Sequence, residues 1–203
     1  MDDEVTPATL TNMKERIGDS AKLLLPNLQM DVLAYGCTSA SATIGEKEIF
    51  RQLALRQEDA CTTTPLTAAL RGFQALGVRN IGLVTPYVGE VNDILVKYIE
   101  ATGHYRVTNL LTFNLIRDSE VASVTVESIK TAAITVGERP QVEAVFISCT
   151  SLRTSQVAGP VEDVIKKPVV SSNLAMAWHC LRLAGCRADV SQKYGKLFGK
   201  MEI

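Results

Sequence analysis

Apolar and polar positions along the chain fall into blocks that read alternately as helix and strand. Behind Thr6-Pro7, the residues Leu10, Met13, Ile17 and Leu24 recur at roughly helical spacing. Threonine caps free N–H groups and proline is tolerated at the first helical position, so a helix is predicted from there until Pro26. A buried strand follows at about 31–36. Ile49, Leu53 and Ala54 fall on one face of a helix running from Gly45 to about Arg56. Thr64-Pro65 repeats the start signal and predicts a helix to about Leu76. Next come the strand Ile81–Thr85, broken by Pro86-Tyr87, and a helix from about Gly89 to Ala101 that Gly103 stops. Tyr105–Phe113 is β-prone. A helix through Glu127–Thr135 stops at Gly137, and a strand is predicted at 142–148. Gln156–Ile165 reads as helix, Pro168–Ser171 as a short strand, and Asn173–Ala184 as a last helix that Gly185 ends.

Strands alternating with helices across short connections predict an α/β chain with parallel sheets flanked by helices. A repeated tripeptide, Cys-Thr-Ser, closes two of the strands: Asp31–Ser39 ends on Cys37-Thr38-Ser39, and Glu143–Ser151 on Cys149-Thr150-Ser151. The repeat predicts two similar lobes with the active site in the cleft between them. Lobe 1 would comprise residues 1–62 plus 168–203, and lobe 2 residues 63–167. In open parallel sheets ligands bind beyond the carboxyl ends of the strands. Cys37, Thr85–Tyr87, Cys149 and Ser171–Asn173 all fall at such ends.

Composition narrows the field. The 203 residues are 46% hydrophobic, enough for a buried core, and the net charge of −1 points neither to nucleic acid nor to an anionic membrane. No apolar run reaches spanning length. The acidic start, Met1-Asp-Asp-Glu, lacks a leader pattern, so a cytoplasmic protein is expected. Five cysteines with no Cys-x-x-Cys pair suit free thiols in a reducing compartment. Two histidines and scattered cysteines do not make a zinc pattern, and no metal is expected.

The paired cysteines carry the chemistry. A thiol reacts as its thiolate, and its pKa falls where helix N–H groups point at the sulfur. The same N–H groups, with the threonine and serine hydroxyls, can hold a carboxylate. Each half-site would grip one carboxylate and present one sulfur. The alternative is that both are small buried residues, as free cysteines often are. Tyr87 reads either as a donor to substrate or as a ring packed at a turn. Asn92 reads as a solvated polar residue and Asn173 as a helix cap. His179 reads as packing, and Arg153 as a partner for a nearby acid. Cys180 and Cys186 read as structural.

Several blocks, in order, resemble the maleate cis-trans isomerase family, which is grouped with arylmalonate decarboxylases in the aspartate/glutamate racemase superfamily. They are Tyr35–Ser39, Thr64-Pro65, Thr85–Tyr87 through Asn92-Asp93, Ile147–Arg153, and Pro168–Asn173 with Ala177-Trp178-His179. The resemblance implies a two-lobed fold and a reaction without cofactor. It implies that Cys37 adds to the double bond of maleate, that the resulting thioether rotates, and that Cys149 exchanges a proton with the adjacent carbon before fumarate leaves. It places Thr38, Ser39, Tyr87, Thr150 and Ser151 at the two carboxylates of a small dicarboxylate, and Asp118 where family members often carry an asparagine. No partner beyond that substrate is implied, though a homo-oligomer is compatible.

Two departures bear on activity. The chain begins at a helix that follows a first strand in the family, so an open sheet edge is expected, and an inactive fragment is one reading. Asp118 puts an acid beside a dicarboxylate. Two rival reactions also stand. The racemases use two cysteines as opposed acid and base, with motifs Cys-Asn-Thr and Cys-Thr-Glu where this chain has Cys-Thr-Ser twice. The decarboxylases typically keep only the second cysteine.

Overall fold

The structure, a computed structural model, describes residues 3–202. The N-terminal arm forms α1 (Pro7–Asn12) and α2 (Lys14–Lys22), then β1 (Val32–Ala34), α3 (Thr38–Ile44), α4 (Glu46–Ala54), β2 (Cys61–Thr63) and α5 (Pro65–Leu76). The middle of the chain gives β3 (Asn80–Thr85), α6 (Gly89–Glu100), β4 (Arg106–Thr112), α7 (Asp118–Ser123), α8 (Val126–Gly137) and β5 (Ala144–Ile147). It ends with α9 (Ala158–Ile165), β6 (Val169–Ser171), α10 (Ser172–Leu183), α11 (Ser191–Tyr194) and a 3₁₀ turn at Lys196–Gly199.

The start signals act as threonine chemistry dictates. Thr6 and Thr64 accept hydrogen bonds from the N–H groups of Thr9 and Thr67, and each is followed by proline at the first helical position. The predicted first helix is instead two, broken at Met13. The three-residue β2, α7, α11 and the 3₁₀ turn had no expectation, and α3 was expected only as a helix opening after Cys37. Neither β2 nor α7 has enough residues to show a period.

All strands pair in parallel, in two sheets: β1-β2, and β4-β3-β5-β6. Each sheet has its own apolar cluster. Ile17, Ala21, Leu33, Ile49, Leu53 and Ala60 pack around the two-stranded sheet, while the larger core gathers on Phe73, Leu83, Phe146 and Trp178. These are the two lobes. β6 pairs with β5, so the four-stranded sheet crosses the 167/168 boundary drawn from sequence. Among the described residues β1 pairs only with β2, so its outer edge carries no strand.

Two local features fix the larger lobe. A Cβ on Gly82 of β3 would sit 2.4 Å from a Val136 methyl, so glycine lets α8 lie close on the sheet. Arg182 of α10 is buried, and its guanidinium donates to the carbonyls of Cys186, Ala188, Phe198 and Lys200. It ties the C-terminal segment down, as does Trp178, whose indole N–H also donates to Lys200 O at 2.9 Å.

Candidate active site

The two Cys-Thr-Ser tripeptides take different conformations. Cys37 has extended backbone and caps α3, and its carbonyl accepts from the N–H and the hydroxyl of Ser41. Cys149 sits at φ +136°, a region few L-residues adopt. No helix opens there. Residues 150–152 turn, and α9 begins only at Ala158. The expectation of a strand-to-helix handover therefore holds for Cys37 and fails for Cys149.

Tertiary bonds replace that helix. The N–H of Cys149 donates to Ser172 Oγ at 3.1 Å, and the Asn173 amide donates to Thr150 O at 3.0 Å. Thr38 Oγ1 donates to the same Ser172 oxygen at 2.8 Å, and Thr150 Oγ1 donates to Gly36 O at 2.9 Å. These last two bonds join the two lobes beside the cysteines. They also commit the protons of the Thr38 and Thr150 hydroxyls within the protein. Asn173 is not the cap of α10; Ser171 is, accepting from Leu174 N–H.

Cys37, Thr38, Ser39, Tyr87, Asp118, Cys149, Thr150 and Ser151 all line one pocket, together with Glu4, Leu10 and Met13 from the N-terminal arm. Every candidate site residue read from sequence is therefore brought together. The enclosed space is small, about 40 Å³. Tyr87 is held by its backbone: its carbonyl accepts from the Asn92 amide at 2.8 Å and from the Thr112 hydroxyl at 2.5 Å. Asn92 is thus buried, not solvated, and its Oδ1 accepts from Thr85 Oγ1 at 2.6 Å. Tyr87 is 2% exposed, and its phenol faces Ser148 and Cys149 without a hydrogen bond of good geometry.

Burial pushes the Cys37 thiol up. The N–H groups of Ala40 and Ser39 and the Ser39 hydroxyl pull against that rise, and the Asp118 carboxylate adds to it. Burial also pushes Cys149 up, opposed by the N–H of Ser151 and the Tyr87 hydroxyl and reinforced by Cys37 and Asp118. The net shift is upward at both sulfurs, so the N–H groups do not depress the thiol pKa as expected. Desolvation outweighs them. Because each sulfur's charge disfavours the other's, a pair with one thiolate and one thiol is preferred to a doubly ionised one. With both thiols raised, the neutral pair is the resting state, and ionising one sulfur disfavours ionising the second. Among the described residues no group of His, Cys, Asp and Glu side chains could hold a metal.

Elsewhere the packing reading of His179 stands, while Arg153 meets a backbone carbonyl and not the acid expected for it. His179 is buried, with Nδ1 2.7 Å from Thr63 Oγ1, outside the pocket. Arg153 donates to Val124 O at 3.2 Å. Ser172 carried no assigned role in the sequence reading; its only signal was its place at a strand end inside the Pro168–Asn173 block.

A family model described as arylmalonate decarboxylase matches residues 3–198. The chain is 33% identical to arylmalonate decarboxylase of Bordetella bronchiseptica over 137 residues, 67% of this chain and 57% of that protein. It is 26% identical to maleate isomerase of Nocardia farcinica over 160 residues, 75% of this chain and 63% of that protein. It thus spans less than two thirds of both relatives. Among solved structures, a cysteine-to-serine mutant of the Nocardia farcinica maleate cis-trans isomerase superposes with a TM-score of 0.86. The identity is 22%, covering 98% of this chain and 83% of that one; that mutant carries a covalently bound succinylcysteine intermediate. With the family model matching along nearly its whole length, the chain belongs to the arylmalonate decarboxylase family.

Proposed function

We propose that the chain is a cofactor-independent cis-trans isomerase of maleate or a similarly small unsaturated acid. The observation that carries this reading is that Cys37 and Cys149 line the same small pocket. Cys37, as thiolate, adds to one alkene carbon, and the Cys149 thiol protonates the other. The product is a thioether whose central carbon–carbon bond is single and free to rotate. Cys149 then takes the proton back, the C–S bond breaks, and the trans acid leaves. Nothing is consumed, and each sulfur returns to its starting state. The succinylcysteine in the Nocardia farcinica enzyme supports such an adduct.

The second reading is decarboxylation of a malonate-type acid, favoured by the 33% identity to arylmalonate decarboxylase. The pair of cysteines in one pocket favours the isomerase, because decarboxylation needs only one sulfur to return a proton. The decisive assay follows maleate, and separately an arylmalonate, by NMR. Conversion of maleate to fumarate, with a substrate adduct on Cys37 in the Cys149→Ser variant, supports the isomerase. Release of carbon dioxide without any isomerisation overturns it.

A further inference from the structure

The charge around the pocket is one-sided. Asp118 and Glu4 bring carboxylates to its wall, and among the described residues no lysine, arginine or histidine lines it. Arg117, next to Asp118, turns instead toward Asp3, with Nε 4.0 Å from its carboxylate. Asp118 is fixed in place. Its Oδ1 accepts from the Ser151 hydroxyl at 2.7 Å, and its N–H donates to Asp3 O at 2.7 Å. Its Oδ2 makes no hydrogen bond to any described residue.

Opposite in chemistry is Tyr87, whose buried hydroxyl faces Ser148 and Cys149 but makes no hydrogen bond of good geometry. A buried polar group without a well-made hydrogen bond costs free energy, so the Tyr87 hydroxyl calls for a ligand that completes it, while the half-exposed Asp118 carboxylate presents a free acceptor oxygen in the same pocket. The pocket therefore offers a donor in the Tyr87 hydroxyl and an anionic acceptor in Asp118. A diacid satisfies the donor but sets its second carboxylate against the Asp118 carboxylate. Like charges in a partly desolvated cleft repel strongly, and among the described residues no cation lines the wall to offset them.

We propose that Asp118 makes the site select a half-amide, with a carboxylate at one end and a primary amide at the other, over the corresponding diacid. The amide N–H donates to Asp118 Oδ2, and the carboxylate accepts from Tyr87. The amide carbonyl still withdraws electrons from the alkene, so the addition, rotation and elimination described above run unchanged. One C–S bond forms and later breaks, and one proton leaves Cys149 and returns. The chemistry rests on the isomerase reading; the selectivity does not.

The test uses unreactive saturated probes. Binding of succinate and succinamate to the full chain is measured by calorimetry at neutral pH, with the wild type and Asp118→Asn. The wild type is expected to bind succinamate about tenfold or more tighter than succinate, and Asp118→Asn to lose most of that preference. Equal or tighter binding of succinate by the wild type overturns the proposal, and this comparison decides even if the variant fails to fold. An unchanged ratio in a folded variant also overturns it. Turnover of maleate and of its half-amide is followed in parallel. A succinamate preference without turnover of either cis acid supports the selectivity and sinks the isomerase reading.

Discussion

Thr38 Oγ1 donates to Ser172 Oγ at 2.8 Å, and that serine oxygen also accepts the N–H of Cys149 at 3.1 Å. One hydroxyl thus ties the residue after the first cysteine to the backbone of the second. Ser172→Ala leaves the Thr38 hydroxyl and the Cys149 N–H buried and unpaired. A loss of about 1–3 kcal/mol of stability is expected in denaturant titration. Turnover should fall further than KM rises, because the Cys149 backbone at φ +136° loses its restraint. Unchanged kcat in the folded variant would show that the serine holds no catalytic geometry.

The two sulfurs give a second expectation. Cys37→Ser should abolish isomerisation, since a serine hydroxyl is far less ionised and less nucleophilic. Cys149→Ser should impair it through lost proton transfer. Both thiols are raised by burial, so the reactive thiolate gains population as pH rises. The pH–rate profile should climb through an apparent pKa above the ordinary thiol value of about 8.5. A plateau already reached at pH 7 would contradict it. Brief alkylation at neutral pH should label exposed Cys61 before either pocket cysteine.

Tyr87→Phe separates binding from folding. The hydroxyl faces Ser148 and Cys149 without a hydrogen bond of good geometry, so its loss should change the melting temperature little. If the phenol holds the substrate carboxylate, KM should rise about tenfold or more, the equivalent of one hydrogen bond to a charged group. Equal KM values for the two proteins would remove Tyr87 from the binding set.

His179 makes stability depend on pH. Burial holds its imidazole down to about 4, against an ordinary value of 6.5. Above pH 6.5 neither folded nor unfolded chain protonates it, and it contributes no slope. Between about 6.5 and 4 the unfolded chain binds a proton that the native state refuses, so stability falls as the solution is acidified. The slope is on the order of 1 kcal/mol per pH unit, levelling below the folded value. His179→Gln should flatten this segment of the stability–pH curve measured by urea titration.

Gly82→Ala should destabilise the larger lobe by about 1–3 kcal/mol, because its Cβ would sit 2.4 Å from the Val136 methyl. Val136→Ala in the same chain should recover part of that loss, read as a non-additive double-mutant cycle in thermal melts.

The sequence by itself determined the α/β order, the Thr-Pro helix starts and the long strand β3, while the set of residues lining the pocket was legible only through the family resemblance. The first three follow from local chemistry: capping oxygens, proline's missing N–H, and apolar runs of sufficient length. It also determined that two identical tripeptides would end two strands. What it could not carry was the difference between them. Cys37 opens α3 because its carbonyl finds Ser41 within its own segment, a bond local in sequence. Cys149 turns away from helix because its partners, Ser172 and Asn173, lie more than twenty residues onward and reach it only once β6 pairs with β5. The thiol pKa values were decided the same way. The N–H groups that lower them are local and legible, but the burial that outweighs them comes from packing the N-terminal arm and two lobes over the cysteines. Asn92 reads as a surface amide until Thr85 and the Tyr87 carbonyl close around it. Asp118, too, stands only one residue from an arginine in sequence. The fold gives that arginine to Asp3 and leaves the carboxylate facing the pocket.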